Sequence, residues 1–281
     1  MSVTHGVKEF IYIYLRDFIN IFFPWWNKVP FVIGEIIFVS HLFVEMERLI
    51  TFDLNLFRYK KSLPPKLGVG LSERIVEIPW AISHLPSKGN HLDAGASFNF
   101  RTILLSHQLR NLKIFIVNLN PEKNCYVDKY ISYIFGDLRK KIFTDGFFDS
   151  ISCVSVLEHV GMDNSIYIPD GGYKQKNKKD YLLVVKEFKR ILIKKGICLI
   201  TIPFGAYEDH DWYQVFDTAM VRELIKAFDP SSFDISYYQY NESGWQLSTE
   251  KECSHVRYSQ KHIEKSYCAA SRAVACIKLV K

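Results

Sequence analysis

The stretch His91-Leu-Asp-Ala-Gly-Ala-Ser-Phe-Asn-Phe100 decides how this chain is read. A run of strand-like residues ends on the carboxylate Asp93, the backbone turns at Gly95, and an amphipathic segment comes next with Ile103, Leu104, Leu105 and Leu109. That order reads as strand, tight turn and helix start. Gly95 permits a bend that a Cβ would obstruct, and the first N–H groups of the next helix face the turn. A turn of this kind at the carboxyl end of a parallel strand is where open α/β sheets take nucleotide-like ligands.

A lone Asp-x-Gly-x-Ser is common in loops, so the weight rests on four segments further along the chain. Lys113–Asn120, Ile131–Asp137, Asp149–Leu157 and Gly196–Phe204 are short apolar runs of the kind that form strands buried on both faces. The second ends in Gly136-Asp137, the third runs into Glu158-His159-Val160-Gly161, and the fourth is stopped by Pro203. Before the fourth, Leu182, Val185, Phe188 and Leu192 repeat at helical spacing. Lys194-Lys195-Gly196 reads there as a cationic last turn with a glycine stop. Strands alternating with helices predict a parallel sheet with right-handed crossovers. Near the end, Phe233–Tyr240 and Ala273–Val280 read as two last strands, an antiparallel pair at one edge, with Gly244-Trp245 between them and within reach of the site.

In order and spacing these segments resemble the class I S-adenosylmethionine-dependent methyltransferases over roughly residues 70–281. Asp93-Ala-Gly95-Ala-Ser97 looks like their glycine-rich first motif, Gly136-Asp137 like the acidic end of their third strand, and Phe148-Asp149 through Glu158-His159 like their fourth-strand motif. Phe188-Lys-Arg-Ile-Leu-Ile-Lys-Lys-Gly196 resembles their helix and turn before strand five. Ser155-Val-Leu-Glu-His-Val-Gly-Met-Asp-Asn164 together with Thr201-Ile-Pro-Phe-Gly205 is similar to members associated with bacterial surface-polysaccharide synthesis.

The resemblance implies a Rossmann-like methyltransferase fold: a mostly parallel seven-stranded sheet with an antiparallel last strand, plus an N-terminal helical segment. It implies S-adenosyl-L-methionine as cofactor and methyl transfer to a hydroxyl or amine of a sugar or glycolipid precursor. Gly95 and its neighbours would approach the methionine part, with Asp93 orienting the turn. Asn118 and Leu119 would sit beside the ribose, Asp137 and Leu138 would face the adenine, and Ser155 and Leu157 would line the floor below the sulfonium. Two positions depart from the family pattern. Ser97 stands where a third glycine is usual, and Asn118 stands where an acidic residue holds both ribose hydroxyls; an amide bonds one hydroxyl well and carries no charge. Glu122, four residues on, is the candidate substitute. Two other readings stand beside this one: a non-catalytic methyltransferase-like binding or membrane-assembly subunit, and a nucleotide-dependent oxidoreductase, which the absence of a full Gly-x-Gly-x-x-Gly turn disfavours.

Methyl transfer mainly requires alignment, with a base where the acceptor is a hydroxyl. His159 just past the fourth strand, Glu158 beside it, and His210 within Asp209-His210-Asp211-Trp212 are the candidate catalytic residues. A neighbouring carboxylate would raise the basicity of His210, and Trp212 would stack on a sugar; capping, packing and solvated loop charge are the competing readings. Asp163–Tyr173, rich in turn formers, is long enough for a substrate lid.

The chain has 281 residues, 48% of them apolar and 15% aromatic, enough for one α/β core of about 200 residues plus an added segment. Its net charge of +6 comes without a long basic run, so nucleic acid is not an expected partner. Lys174–Lys179 is the densest positive cluster, read either as a solvated loop or as a clamp for an acidic substrate. The six cysteines show no metal-ligand spacing, and no metal site is expected. They and the absence of a signal-peptide pattern predict a reduced, cytoplasmic protein.

Residues 1–65 differ in character. Lys8–Asn27 is packed with Phe, Ile, Tyr and Trp around a narrow polar stripe of Glu9, Arg16, Asn20 and Asn27, and Phe31–Val44 is broken by Glu35 and His41. Neither reaches the roughly 18 uninterrupted apolar residues of a membrane span. These helices would pack on the core, on a second subunit as in a homodimer, or at a membrane interface through residues 8–44, where Trp25-Trp26 adjoins Lys28. The last placement would put the protein at the inner face of the membrane and suit a lipid-linked saccharide. The polar Lys60–Pro65 stretch marks the expected boundary with a methyltransferase domain over 66–281. Leu71–Leu85 reads as a helix before the core, kinked or restarted at Pro79, with Trp80 a core or lid residue.

Overall fold

The computed structural model describes residues 41–122, 124–126, 130–165, 174–258 and 271–281. The chain forms two compact units, Met1–Glu45 and Met46–Lys281. Of the first, residues 41–45 are described and are helical. The expectations placed on residues 8–40, on most of the Asp163–Tyr173 loop and on Cys268 lie outside the described residues. Among those described, no helix is long and apolar enough to cross a membrane.

In chain order the larger unit runs through α1 (Leu54–Arg58), α2 (Arg74–Ser83), β1 (Gly89–Ala94), α3 (Arg101–Leu104), β2 (Leu112–Asn118), β3 (Ile131–Phe135) and β4 (Phe148–Val154). It continues through α4 (Tyr181–Ile191), β5 (Leu192–Pro203), the short β6 (Glu208–Asp209) and β7 (Gln214–Val215), α5 (Thr218–Phe228), β8 (Ser232–Asn241), β9 (Gly244–Ser248), α6 (Glu250–Cys253) and β10 (Ala273–Val280). One eight-stranded sheet has the order β3-β2-β1-β4-β5-β10-β8-β9. The first five strands are parallel, and β10 pairs antiparallel with both β5 and β8. This is the Rossmann-like α/β sheet expected, with one strand more. The order reverses at β1, whose neighbours are β2 and β4, and a crevice therefore opens beyond the carboxyl ends of these strands.

Alternation explains why both faces are buried. Along β5, Cys198, Ile200 and Ile202 join the core that holds α4 and α5, through Tyr181, Val184, Val185, Phe188, Val221, Leu224 and Phe228. The intervening Leu199 and Thr201 are fully buried on the other face, as are Val274 and Cys276 of β10. There α2 packs against β4, β5 and β10, with α1 beside it. Asp217 caps α5, its carboxylate accepting the Met220 N–H at 2.9 Å.

Four details differ from the sequence reading. α4 ends at Ile191, so Lys189 and Arg190 occupy its last turn and Lys194-Lys195-Gly196 belongs to β5. There the register with β4 shifts between Phe148 and Ser150, Lys195 takes a positive φ, and a Cβ on Gly196 would lie 2.9 Å from the Ile193 carbonyl. The glycine serves a bulge, not a helix stop. Pro79 lies inside α2 without ending it, and Trp80 is core, 1% exposed. β10 lies inside the sheet, and β9 forms the edge through a hairpin with β8. Trp245 of β9 is fully buried and donates its indole N–H to the Leu71 carbonyl, so it packs the edge and does not reach the crevice.

At the start of β4, Phe148 is fully buried among Phe143, Phe147 and Phe115, edge-on to each with ring centroids 4.7, 4.9 and 5.4 Å away. Phe148→Ala leaves that space empty and should cost about 3–5 kcal/mol. Urea unfolding monitored by circular dichroism measures it; a loss below about 1 kcal/mol would show that the cluster re-closes.

Candidate active site in the crevice at the strand ends

The turn after β1 is built from beneath. Asp93 is fully buried and its carboxylate accepts the Phe98 N–H at 2.8 Å, while the Ser152 hydroxyl lies 3.4 Å from its other oxygen. Burial pushes this carboxyl up to about 7, against the pull of its hydrogen bonds. His91 spans the Ser150 and Ser152 hydroxyls at 2.8 and 3.1 Å, and burial lowers it to about 3, so it is neutral and the network stays uncharged there. Gly95 has φ +100°, and a Cβ on it would lie 2.2 Å from a Val156 methyl. Ala96 comes next with φ +62°. The Gly95 N–H reaches the Val117 carbonyl at 2.8 Å, tying the turn to β2. Ser97, where the family pattern has a third glycine, donates its hydroxyl to the Val154 carbonyl at 3.0 Å and so ties the turn to β4.

Above the turn lies a cavity of about 590 Å³, within the size range of small-molecule sites. Gly95, Ser97, Asn118, Leu119, Asp137, Leu138, Ser155 and His159, all singled out from the sequence, line it. Asp93 and Leu157 do not. The first supports the turn from below and the second is core, 0% exposed. Glu158 also stands behind the wall, 4% exposed. His210 is not a lining residue either; it stacks on Tyr213 at 4.5 Å with its Nε2 3.1 Å from Glu208. The carboxylate it meets is therefore Glu208, not Asp209 or Asp211. Asp209 pairs with Lys178 at 2.5 Å and Lys179 with Glu223 at 3.0 Å, so this part of the lysine run is solvated surface rather than a clamp on the cavity.

At the β2 end the Asn118 side-chain Oδ1 accepts the Leu119 N–H at 2.9 Å, and its Nδ2 donates to Glu122. The other Glu122 oxygen accepts from the Asn99 amide at 2.9 Å. A carboxylate is thus fixed in the cavity wall beside the amide of β2. At the β3 end, Arg139 grips Asp137 through Nε at 3.0 Å and Nη2 at 2.6 Å, and reaches Asp180 and Gln175 at 2.6 Å each. Burial alone would raise the Asp137 carboxyl, but the hydrogen bonds and charge of Arg139 outweigh it and hold it below its usual value.

At the β4 end, Ser155 adopts φ +47° and donates its hydroxyl to the buried Glu77 at 2.6 Å. Arg74, from the start of α2, reaches Glu77 at 3.0 Å and the Val154 carbonyl at 3.1 Å. His159 meets the Trp212 carbonyl at 2.9 Å through Nδ1 and stacks on the Trp212 ring at 5.2 Å. Burial lowers His159 to about 4, so it is neutral near pH 7 and able to accept a proton only weakly. Arg74 and Arg139 were missed from the sequence. Glu73-Arg74 with Glu77 one turn on, in an otherwise apolar helix, was the available signal for the first. Among the described residues, no group of three or more His, Cys, Asp or Glu is placed to hold a metal ion.

No protein-family model and no curated protein matches the chain. Among solved structures it is similar to 1,6-didemethyltoxoflavin-N1-methyltransferase of Burkholderia thailandensis, solved with its substrate and S-adenosylhomocysteine: 13% identity, 71% of this chain and 73% of that one, TM-score 0.44. A second is an S-adenosylmethionine-dependent methyltransferase of Thermotoga maritima, 16% identical over 86% of this chain and 99% of that one, TM-score 0.46. A third is phosphoethanolamine N-methyltransferase 2 of Haemonchus contortus with S-adenosylmethionine, 12% identical over 74% and 52% of the two chains, TM-score 0.44.

The buried titrating groups set a pH dependence. His91 and His159 are depressed from 6.5, so their neutral burial favours folding above about 6.5 and is lost as pH falls. Asp93, Glu73 and Glu158 are raised, to about 7, 7 and 8, so the stability from their protonated burial is full in acid and lost as pH rises through those values. Between pH 6.5 and about 8.5 only the carboxyl groups of these five act, and the melting temperature should fall. Glu158→Gln should flatten that slope; an unchanged slope in calorimetric scans would remove Glu158 as its source.

Proposed function

We propose that the chain is an S-adenosylmethionine-dependent methyltransferase that acts on a hydroxyl or amine of a small molecule. The observation that carries the reading is the relocated carboxylate: Glu122, oriented by Asn118 and Asn99, stands in the cavity wall at the end of β2. The residues present fit the cofactor. Gly95 lets Val156 close against the backbone, and the positive φ values at 95 and 96 shape a turn on the cavity wall that a ligand can approach. Glu122 supplies the charged acceptor for vicinal hydroxyls that Asn118 cannot supply alone. Asp137 lines the cavity where an exocyclic amine would lie, and Arg139, which engages both of its oxygens, holds it ionised. Arg74, beside Ser97 through their shared contact with the Val154 carbonyl, is placed for the methionine carboxylate. When bound, the cofactor would supply an activated methyl group on a sulfonium.

The protein's part is then to align the acceptor and exclude water. Ser155, Val156, His159 and Val160 form the wall next to β4 where an acceptor would lie. His159, neutral and ordered by the Trp212 carbonyl, lies on that wall as a weak acceptor for a hydroxyl proton, its basicity lowered by burial. The saccharide or glycolipid acceptor implied by the resemblance, and the attachment to a membrane, find no support in these features. A small-molecule nucleophile is the acceptor class assigned.

Calorimetric titration with S-adenosylhomocysteine tests the reading. Micromolar binding is expected, with Glu122→Gln weakening it about tenfold, or roughly 1.4 kcal/mol. Absence of binding at millimolar concentration would end the cofactor assignment. Equal affinity of wild type and variant would end the assignment of Glu122 alone.

A further inference from the structure

The cavity wall at the β4 end has a polarity of one kind. Asn164, 8% exposed, lines it, and its Nδ2 donates to the His159 carbonyl at 2.8 Å and to the Met162 carbonyl at 3.2 Å. A carbonyl oxygen only accepts, so the amide cannot be turned the other way round, and Oδ1 is the atom left over. No donor among the described residues meets Oδ1, and it is open rather than sealed from solvent. The segment is held in place, because the Asp163 N–H donates to the Asp211 carbonyl at 3.0 Å. Ser155 and His159, on the same wall, follow the same pattern. The one hydroxyl proton of Ser155 goes to Glu77 at 2.6 Å, so toward a ligand its Oγ can only accept. The Nδ1 proton of His159 goes to the Trp212 carbonyl at 2.9 Å, and the neutral ring therefore carries its lone pair on Nε2. All three side chains have spent their donors inside the protein and kept acceptors. Val156 and Val160 complete the wall with apolar surface. Arg74 also lines the cavity on this side, and the cofactor reading takes it for the methionine carboxylate.

We infer that Asn164 is the specificity residue of a donor-reading subsite, which takes the methyl acceptor through an uncharged NH2 group on an aromatic or heteroaromatic ring. The inference rests on the methyl-transfer reading and narrows its acceptor from hydroxyl or amine to ring amine. One N–H bonds Asn164 Oδ1, and the second meets further acceptors, not donors, along the same wall. Both bonds are made through hydrogen, so the nitrogen's own electron pair stays available to the methyl group. A hydroxyl brings a single proton and leaves more of the wall unmet. A carboxylate, phosphate or carbonyl sets acceptors against acceptors and is repelled. An aliphatic amine arrives as its ammonium, without a lone pair until a proton leaves. Burial holds His159 to about 4, too weak a base to take that proton, whereas a ring amine arrives uncharged because the ring withdraws electron density from its nitrogen. Val156 and Val160 give the ring its apolar flank.

Four ligands that share a benzene ring test this: aniline, phenol, N,N-dimethylaniline and benzylamine, each titrated calorimetrically near pH 7 with and without saturating S-adenosylhomocysteine. Aniline should bind about tenfold more tightly than N,N-dimethylaniline, which keeps the ring and has no N–H. Phenol should fall between them, and the benzylamine cation below aniline. Asn164→Ala should bring aniline down to the level of N,N-dimethylaniline and leave the affinity for S-adenosylhomocysteine unchanged. A merely structural Asn164 would instead weaken all four ligands together, which would overturn the inference. If Asn164→Ala fails to melt cooperatively, Asn164→Asp decides: the charge it adds should raise benzylamine above aniline, and an unchanged order would count against the subsite. Aniline and N,N-dimethylaniline binding alike, benzylamine outranking aniline on the wild type, or no aniline binding at millimolar concentration would equally overturn it. Failure of S-adenosylhomocysteine alone to bind, with the aniline preference intact, would sink the cofactor reading and leave the subsite standing. S-adenosylhomocysteine binding without an aniline preference would do the reverse.

Discussion

The 2.8 Å bond from the Phe98 N–H to the buried Asp93 carboxylate holds the turn on which the crevice depends. Asp93 lies in register with Ile116 on one side and Ser152 on the other, in the middle of an apolar sheet. A polar group there survives because its neighbours share its burden. Ser152 serves both Asp93 and His91, and Ser150 completes the chain. With the turn fixed from below, Gly95 can close on Val156 and bond to β2, and the ends of four strands face one space.

That space is electrically uneven. The sheet order places β3 and β4 on opposite sides of β2 and β1. On the β3 side, Arg139 is paired with both Asp137 and Asp180, a formal excess of one negative charge. On the β4 side, Arg74 faces three carboxylates and the balance is negative. A ligand lying along the crevice therefore has the paired Arg139 set at one end and the more acidic surroundings of Arg74 at the other, and its own charge distribution sets its orientation. Position and polarity, more than any single reactive group, are what this wall contributes.

The parallel half of the sheet was legible because buried strands leave continuous apolar runs and because Gly95 must be glycine. β1 to β5 all fall within a few residues of where the pattern put them. Tertiary demands hid the rest. Lys194-Lys195-Gly196 has the composition of a helix terminus, but the sheet takes it as a bulge to keep β5 aligned with β4. Trp245 looked like a ligand contact, yet the hairpin register buries it against Leu71. In the crevice, residues on the strand ends were readable from their place after each run. Arg74 was overlooked although its i,i+3 spacing to Glu77 was there to read, and Arg139 was not readable, because its reach to Asp180 and Gln175 comes from tertiary geometry that spacing does not encode. His210 shows the converse: Asp209, His210 and Asp211 beside Trp212 suggested a site, yet His210 meets Glu208 and Tyr213 and does not line the cavity.

The place of β10 carries a consequence for how the protein is made. It is the last strand in chain order among the described residues, yet it fills the slot between β5 and β8. Until it docks, β5 presents an open edge running from Ile197 to Pro203, and the β8–β9 hairpin is a separate ribbon. A nascent or clipped chain ending before Ala273 would thus expose two unpaired, largely apolar edges at once, the arrangement that invites strand pairing between molecules. Quality control in the cell would recognise such a fragment by those edges long before the crevice had any bearing on its fate.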